Sequence, residues 1–145
     1  MRIISGNKKG KRINIPKNLP IRPTTDQSKE AVFNIIYNKF DFKNIKVLDL
    51  FSGSGSISYE FSSRGVNQVT SIDNNHKCVK FIKSTANELN LNINVIKSDV
   101  VKFLKANIFN YDVIFCDPPY SYSLENYKEI QSLIFNDKTL NSNGI

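Results

Sequence analysis

Tryptophan is absent from the 145 residues, histidine and methionine occur once each, and cysteine occurs twice. Cys78 and Cys116 cannot build the disulfide framework of a small secreted domain. With His76 as the lone imidazole, they cannot supply the usual zinc spacing either, so no metal is expected. Both thiols read as inert core groups. Long apolar runs are missing as well. No stretch approaches the roughly 18 residues of a membrane span, and Met1–Lys9 lacks the apolar centre of a secretory leader. A cytoplasmic protein without membrane association is expected. Hydrophobic residues nevertheless make up 40% and aromatics 11%, which excludes a wholly disordered chain, and the length suits one domain.

Acidic residues are scarce at one end only. Residues 1–40 hold nine basic and two acidic side chains, whereas the remaining 105 hold eleven of each, so the whole net charge of +7 sits in the first 40. An AT-rich genome would enrich Lys, Asn, Ile and Phe throughout. It would neither confine the excess to one end nor place three of the four arginines there. A concentrated basic arm suits a polyanion such as nucleic acid; a solvated, soluble edge fits the same charge. The candidate nucleic-acid contacts are Arg2, Lys8, Lys9, Lys11, Arg12 and Arg22.

Two parts are predicted. Residues 1–40 form a basic hairpin and helix. Arg2–Ile4 and Lys11–Ile15 read as short strands around a Gly6–Gly10 turn, Pro16, Pro20 and Pro23 interrupt regular structure, and Asp26–Phe40 has helical spacing. Residues 41–145 alternate strands (Lys46–Leu50, Gln68–Asp73, Asn94–Lys97, Tyr111–Cys116) with helices (Ser56–Arg64, Asn75–Leu89, Val100–Ile108, Glu125–Phe135). The continuous apolar runs Val47-Leu48 and Val113-Ile114-Phe115 mark strands buried on both faces. The expected fold is α/β: a Rossmann-like, doubly wound, mostly parallel sheet. A fifth strand is anticipated to begin at Gly144-Ile145, so the domain reads as short at its C-terminus.

Four strand-end motifs carry the chemistry. Asp49-Leu50-Phe51-Ser52-Gly53-Ser54-Gly55-Ser56 places two glycines between a strand and a helix. A dinucleotide fingerprint needs a third glycine where Ser58 stands, and Asp49 would repel a pyrophosphate. An acid there suits a cationic ligand such as S-adenosylmethionine (SAM). Asp73, 20 residues after Gly53, either accepts ribose hydroxyls or caps the next helix. Asp99 has the same two options, with the adenine amine in place of the ribose.

Asp117-Pro118-Pro119-Tyr120 is the most informative stretch. The Asp117 carboxylate and the Pro118 carbonyl can together accept both hydrogens of an exocyclic amine. That holds a poorly nucleophilic nitrogen for attack and stabilises the positive charge it gains. Tyr120 offers a face for stacking an unpaired base. In a doubly wound sheet the first and fourth strands are neighbours, so this turn and the glycine loop should share one crevice.

These residues resemble the class I SAM-dependent methyltransferases, and more closely the bacterial small-subunit rRNA guanine-N2 methyltransferases of RsmD type. The resemblance is carried by Met1–Gly6, Lys9–Ile13, Arg22-Pro23-Thr24-Thr25-Asp26, Glu30–Ile35, Asp49–Ser56, Ser63-Arg64-Gly65 and Asp117–Tyr120. It implies methyl transfer from SAM to a guanine N2 amine of 16S rRNA in the assembling small ribosomal subunit, by a monomer. By motif position, Asp49, Gly53, Gly55, Asp73 and Asp99 would serve the cofactor, and Asp117, Pro118 and Tyr120 the guanine. The family continues with a fifth strand and a closing hairpin, against which this chain is expected to be short. Two other readings stand beside this one: a DNA adenine-N6 methyltransferase, and a truncated, inactive RNA-binding remnant.

Overall fold

The computed structural model describes residues 1–21 and 24–145; the candidate contact Arg22 lies outside the described residues. In chain order the elements are α1 (Asp26–Lys39), β1 (Lys46–Leu50), α2 (Ser56–Ser63), β2 (Gln68–Asp73), α3 (His76–Glu88), β3 (Ile93–Lys97), α4 (Val100–Ala106), β4 (Val113–Cys116) and α5 (Leu124–Ile134). The strands form one parallel sheet in the order β3-β2-β1-β4. The order reverses beside β1, as the doubly wound reading requires. None of the described helices is long and apolar enough to cross a membrane.

Helix starts follow local chemistry. Thr25 Oγ1 accepts from Ser28 N at 3.1 Å, Asn75 Oδ1 from Lys77 N at 2.9 Å and Asp99 Oδ1 from Lys102 N at 2.9 Å. Ser123 and Asn126 form a reciprocal capping box at the start of α5.

Alternate residues of the strands face two cores. On one side Val47, Val69 and Val113 pack with Phe33 and Ile36 of α1, with Phe42 and Ile45, and with Ile57 and Phe61 of α2. On the other, Leu48, Leu50 and Ile72 pack under Val100 and Leu104 of α4 and Ile130 and Ile134 of α5. The basic N-terminal segment joins a third cluster: Ile3 and Ile13 are buried with Tyr59, Val79, Ile82 and Val95.

Three local differences from the sequence reading have physical causes. The two N-terminal strands reduce to a single antiparallel bridge, Arg2↔Arg12, because the segment is anchored to α2 rather than to a sheet. All eight residues of α2 are buried although four are serines and one is glutamate, because the N-terminal segment covers the face that would otherwise meet water. β4 starts at Val113; Tyr111 instead forms a parallel bridge to Leu140. Ile145 extends that pairing along the outer edge of β4: its N–H donates to Asp112 O at 3.0 Å and its carbonyl accepts from Ile114 N at 2.9 Å.

Candidate active site

Parallel pairing brings the C-terminal ends of β1, β2 and β4 to one side of the sheet. Leu50 stands opposite Cys116, so the loop after β1 and the turn after β4 leave adjacent strand ends. Between them lies a crevice of about 520 Å³, lined by Pro20, Ile21, Phe51, Asp73, Asn74, Asn75, Cys78 and residues 117–122. Its size falls among small-molecule sites, which span about 300–1,000 Å³. No lysine or arginine lines it among the described residues; its charged walls are Asp73 and Asp117.

The glycine loop is tightly wound and pinned. Phe51, Gly53 and Gly55 have φ of 60°, 54° and 79°. A left-handed phenylalanine is costly, and here it turns the ring to meet Tyr122 edge-on, with centroids 5.3 Å apart. Ser52 N donates to Ile72 O at 3.0 Å, and Gly53 N donates to Asp73 Oδ2 at 2.8 Å. Asp73 Oδ1 accepts from Asn75 N at 2.8 Å. Asp73 therefore ties the end of β2 to the glycine loop while facing the crevice. A Cβ on Gly53 would stand 3.3 Å from Ile21 Cγ2, on the crevice side. A Cβ on Gly55 would instead strike the Tyr59 ring at 2.8 Å and Ile82 at 3.0 Å, beneath the loop. Gly55 is thus required by its left-handed backbone and by packing.

Asp49 is buried under that loop and is not among the crevice-lining residues. Its carboxylate accepts from Ser58 Oγ at 2.6 Å, and Ser58 lies 3.0 Å from Ser71 Oγ. Burial pushes its pKa up to about 7 against the pull of the Ser58 hydrogen bond, with the nearby Asp73 charge adding to the rise. Asp99 is exposed, engaged as the cap of α4, and also outside the crevice lining. Its charge nevertheless reaches Tyr122, whose phenol is raised first by burial and then by Asp99.

The turn after β4 presents acceptors. Asp117 makes no hydrogen bond or ion pair with other described residues. Pro119 O accepts from Tyr122 N at 3.0 Å and from Tyr127 Oη at 3.3 Å, which fixes the turn and leaves the Pro118 carbonyl without a donor among the described residues. Tyr120 is 81% exposed at the rim. Burial first, then the charges of Asp117 and Asp49, push the Cys116 thiol up to about 11; burial and then Asp73 do the same to Cys78. Neither is a nucleophile at neutral pH.

The structure thus gathers Asp73, Asp117, Pro118 and Tyr120 around one space, sets Gly53 on its edge, and keeps Asp49, Gly55 and Asp99 in supporting positions. Of the basic candidates, Lys9, Lys11 and Arg12 are exposed, Lys8 is half-buried, and Arg2 pairs with Asp26 at 3.2 Å.

The chain and its fold have known counterparts. A family model described as Conserved hypothetical protein 95 matches residues 1–145. Ribosomal RNA small subunit methyltransferase D of Buchnera aphidicola subsp. Baizongia pistaciae is 35% identical over 146 residues, spanning 100% of this chain and 73% of that protein. The chain belongs to the RsmD family. The solved structure of Escherichia coli yhhF superposes with a TM-score of 0.82 at 27% identity, covering 97% of this chain and 74% of that one. More distantly, PKMT2 from Rickettsia typhi, solved in complex with AdoHcy, superposes with a TM-score of 0.62 at 25% identity, covering 73% of this chain and 20% of that one.

In this RsmD-family chain the sequence reading passed over Phe51, Tyr122, Pro20 and Ile21 as crevice walls. Phe51 had a signal, an aromatic residue inside a strand-loop-helix turn. Pro20 and Ile21 had none, because they reach the crevice only through the fold.

Proposed function

We propose that this protein transfers a methyl group from SAM to the exocyclic N2 amine of a guanine in small-subunit rRNA. The observation that carries this reading is the crevice itself: two carboxylates, two strand-end loops and no basic side chain among the described residues. Such a site disfavours a pyrophosphate and suits a cationic, hydroxyl-bearing ligand. SAM supplies an electrophilic methyl group on a cationic sulfur. Asp73, at the end of β2 and facing the crevice, is placed for the ribose hydroxyls, and Gly53 gives the donor side its close backbone edge. Asp49 supports the donor side from below the loop through its hydrogen bond with Ser58, and Asp99 stands beyond Tyr122 on the adenine side. The bound AdoHcy in the Rickettsia typhi relative supports the same cofactor class.

On the opposite wall the amine is held by the Asp117 carboxylate and the Pro118 carbonyl. As its lone pair forms the bond to the methyl carbon, that carbon's bond to sulfur breaks with both electrons going to sulfur, and the nitrogen becomes positive until it sheds a proton to solvent. Asp117 is attracted to that charge more strongly in the transition state than in the ground state, which lowers the barrier. Tyr120 at the rim stacks the base. The basic N-terminal segment grips the rRNA phosphates. The name of the Buchnera relative supports an rRNA substrate; guanine N2 rests on the motif resemblance.

The deciding experiment incubates the protein with labelled SAM and either undermethylated small ribosomal subunits or duplex DNA, then maps the modified nucleotide by mass spectrometry. Methylguanine in 16S rRNA is expected. Methyladenine in DNA, or no transfer to either, would replace this reading.

A further inference from the structure

Helix α2 starts at the glycine loop, and its last turn is where the basic segment attaches. Glu60 is fully buried there. Its Oε2 accepts from Ile4 N at 3.0 Å, and its Oε1 accepts from Ser5 N at 2.9 Å. It also pairs with Arg64 at 3.0 Å and Lys29 at 4.0 Å. Lys29 Nζ in turn donates to the Arg2 carbonyl. Ser63 Oγ donates to Ser5 O at 2.6 Å and accepts from Lys8 N at 3.0 Å, and the Ser63 carbonyl accepts from Asn7 N at 2.7 Å. Gly6 presses so closely on this turn that a Cβ there would fall 1.9 Å from Ser63 O.

Burial alone does not need this arrangement. Ile3 and Ile13 already supply an apolar anchor to the same face. A buried carboxylate is a weak source of net stability, since its desolvation offsets much of its Coulombic gain. What directional bonds to the amides of Ile4, Ser5, Asn7 and Lys8 and to the Ser5 carbonyl add is orientation. The residues they orient lead straight into Lys8, Lys9, Lys11 and Arg12. Beside the turn an open pocket of about 380 Å³ presents Arg2, Lys9 and Arg64 against one acid, Glu30. The eight-residue α2 spans about 12 Å, so one rigid, buried rod joins this cationic grip to the loop on the methyl-donor side.

We infer that the C-terminal turn of α2 is a socket that sets where the RNA backbone is gripped relative to the crevice. Glu60, Ser63 and Gly6 are then positioning residues for RNA methylation, not merely for folding. This rests on the rRNA reading above. It adds that the geometry of the basic turn, beyond its charge, governs productive substrate binding.

The test compares Gly6→Ala with Gly10→Ala, both at φ 82°; only the first collides with α2. Ser63→Ala serves as a second, gentler loosening of the socket. Calorimetry measures SAM affinity, and methylation of small ribosomal subunits gives kcat and KM. Gly6→Ala is expected to raise the KM for subunits about tenfold or more, a size typical of misplaced substrate. SAM affinity should stay within twofold, and Gly10→Ala should remain nearer the parent. The decisive arm repeats Gly6→Ala in a background with Lys8, Lys9, Lys11 and Arg12 neutralised. If the socket works by presenting those charges, the second change adds no further rise in KM. Fully additive effects, a parental KM in both Gly6→Ala and Ser63→Ala, or a loss of SAM affinity equal to the rise in KM would each overturn the inference. A parent protein that does not methylate small subunits at all overturns the functional reading instead.

Discussion

Asp117 sits at the end of β4 on the crevice wall, exposed and without a partner among the described residues, so removing it should cost the fold little. Its proposed role is confined to the transition state. Asp117→Ala should therefore lose roughly 100- to 1000-fold in turnover on small subunits, with SAM affinity within a few-fold of the parent. Asp117→Asn should keep part of the rate because its amide oxygen still accepts one hydrogen bond. An Asp117→Ala protein working at the parental rate would falsify the assignment of this turn as the amine site. Asp49 gives a prediction of a different kind. Its pKa is about 7 in the folded protein against an ordinary 3.8. Between those values the folded chain keeps a proton that the unfolded chain releases. Its contribution to stability is therefore greatest below about pH 4, declines as pH rises, and is lost above about 7. Asp49→Asn removes that titration. Melting curves taken from pH 4 to 8 should show the parent losing ground to the variant up to about pH 7, with the gap constant above; parallel curves throughout would show that Asp49 is not held neutral.

The strands and helices of the sheet were legible because each carries its own local signal. Val47-Leu48 and Val113-Ile114-Phe115 announce buried strands, and Asn75 and Asp99 announce helix starts; β1 and β2 fall where the pattern put them. α2 was legible as a helix but not as a buried one. Ser56, Ser58, Glu60, Ser62 and Ser63 look like a solvated face, and only the N-terminal segment folding back over them explains their burial. The same gap hid Glu60 and the crevice walls Pro20 and Ile21: their partners lie tens of residues away, where periodicity carries no information. Gly55 carries a packing demand that the motif alone does not show. The space a Cβ would take there is filled by Tyr59 and Ile82. Gly55→Ala should thus destabilise the protein even without SAM. The left-handed backbone alone costs about 1–2 kcal/mol, and the collision adds to it. A fall of at least about 5 °C in the melting temperature of the ligand-free protein is expected. An unchanged melting temperature with weakened SAM binding would point to ligand approach instead.

At the scale of the whole molecule, the +7 confined to residues 1–40 is not all available to a partner. Lys29 is buried between Asp26 and Glu60, and Arg2 is paired with Asp26. What remains outward on the described surface includes Lys9, Lys11 and Arg12, with Lys8 half-buried beside them. The net charge marks this segment as the basic one; the cancellation inside it depends on contacts that only the fold creates. The crevice, by contrast, is acidic among its described walls. On the proposed reading the arm attracts phosphates and the crevice repels them, so the RNA is held by its backbone at the arm and presents a base, not a phosphate, to Asp117 and Tyr120. This separation has a measurable consequence. Binding through phosphates releases counterions, and each contact contributes about 0.7 to 0.9 to the slope of log affinity against log salt. Neutralising Lys8, Lys9, Lys11 and Arg12 together should lower that slope by up to roughly 3 for small-subunit rRNA. It should leave SAM affinity unchanged, because none of the four lines the crevice. Titrations of labelled rRNA at four or five salt concentrations, with calorimetry of SAM alongside, read both quantities. An unchanged slope would move the RNA contact away from this arm, and a parallel loss of SAM affinity would mean that grip and crevice are not separate.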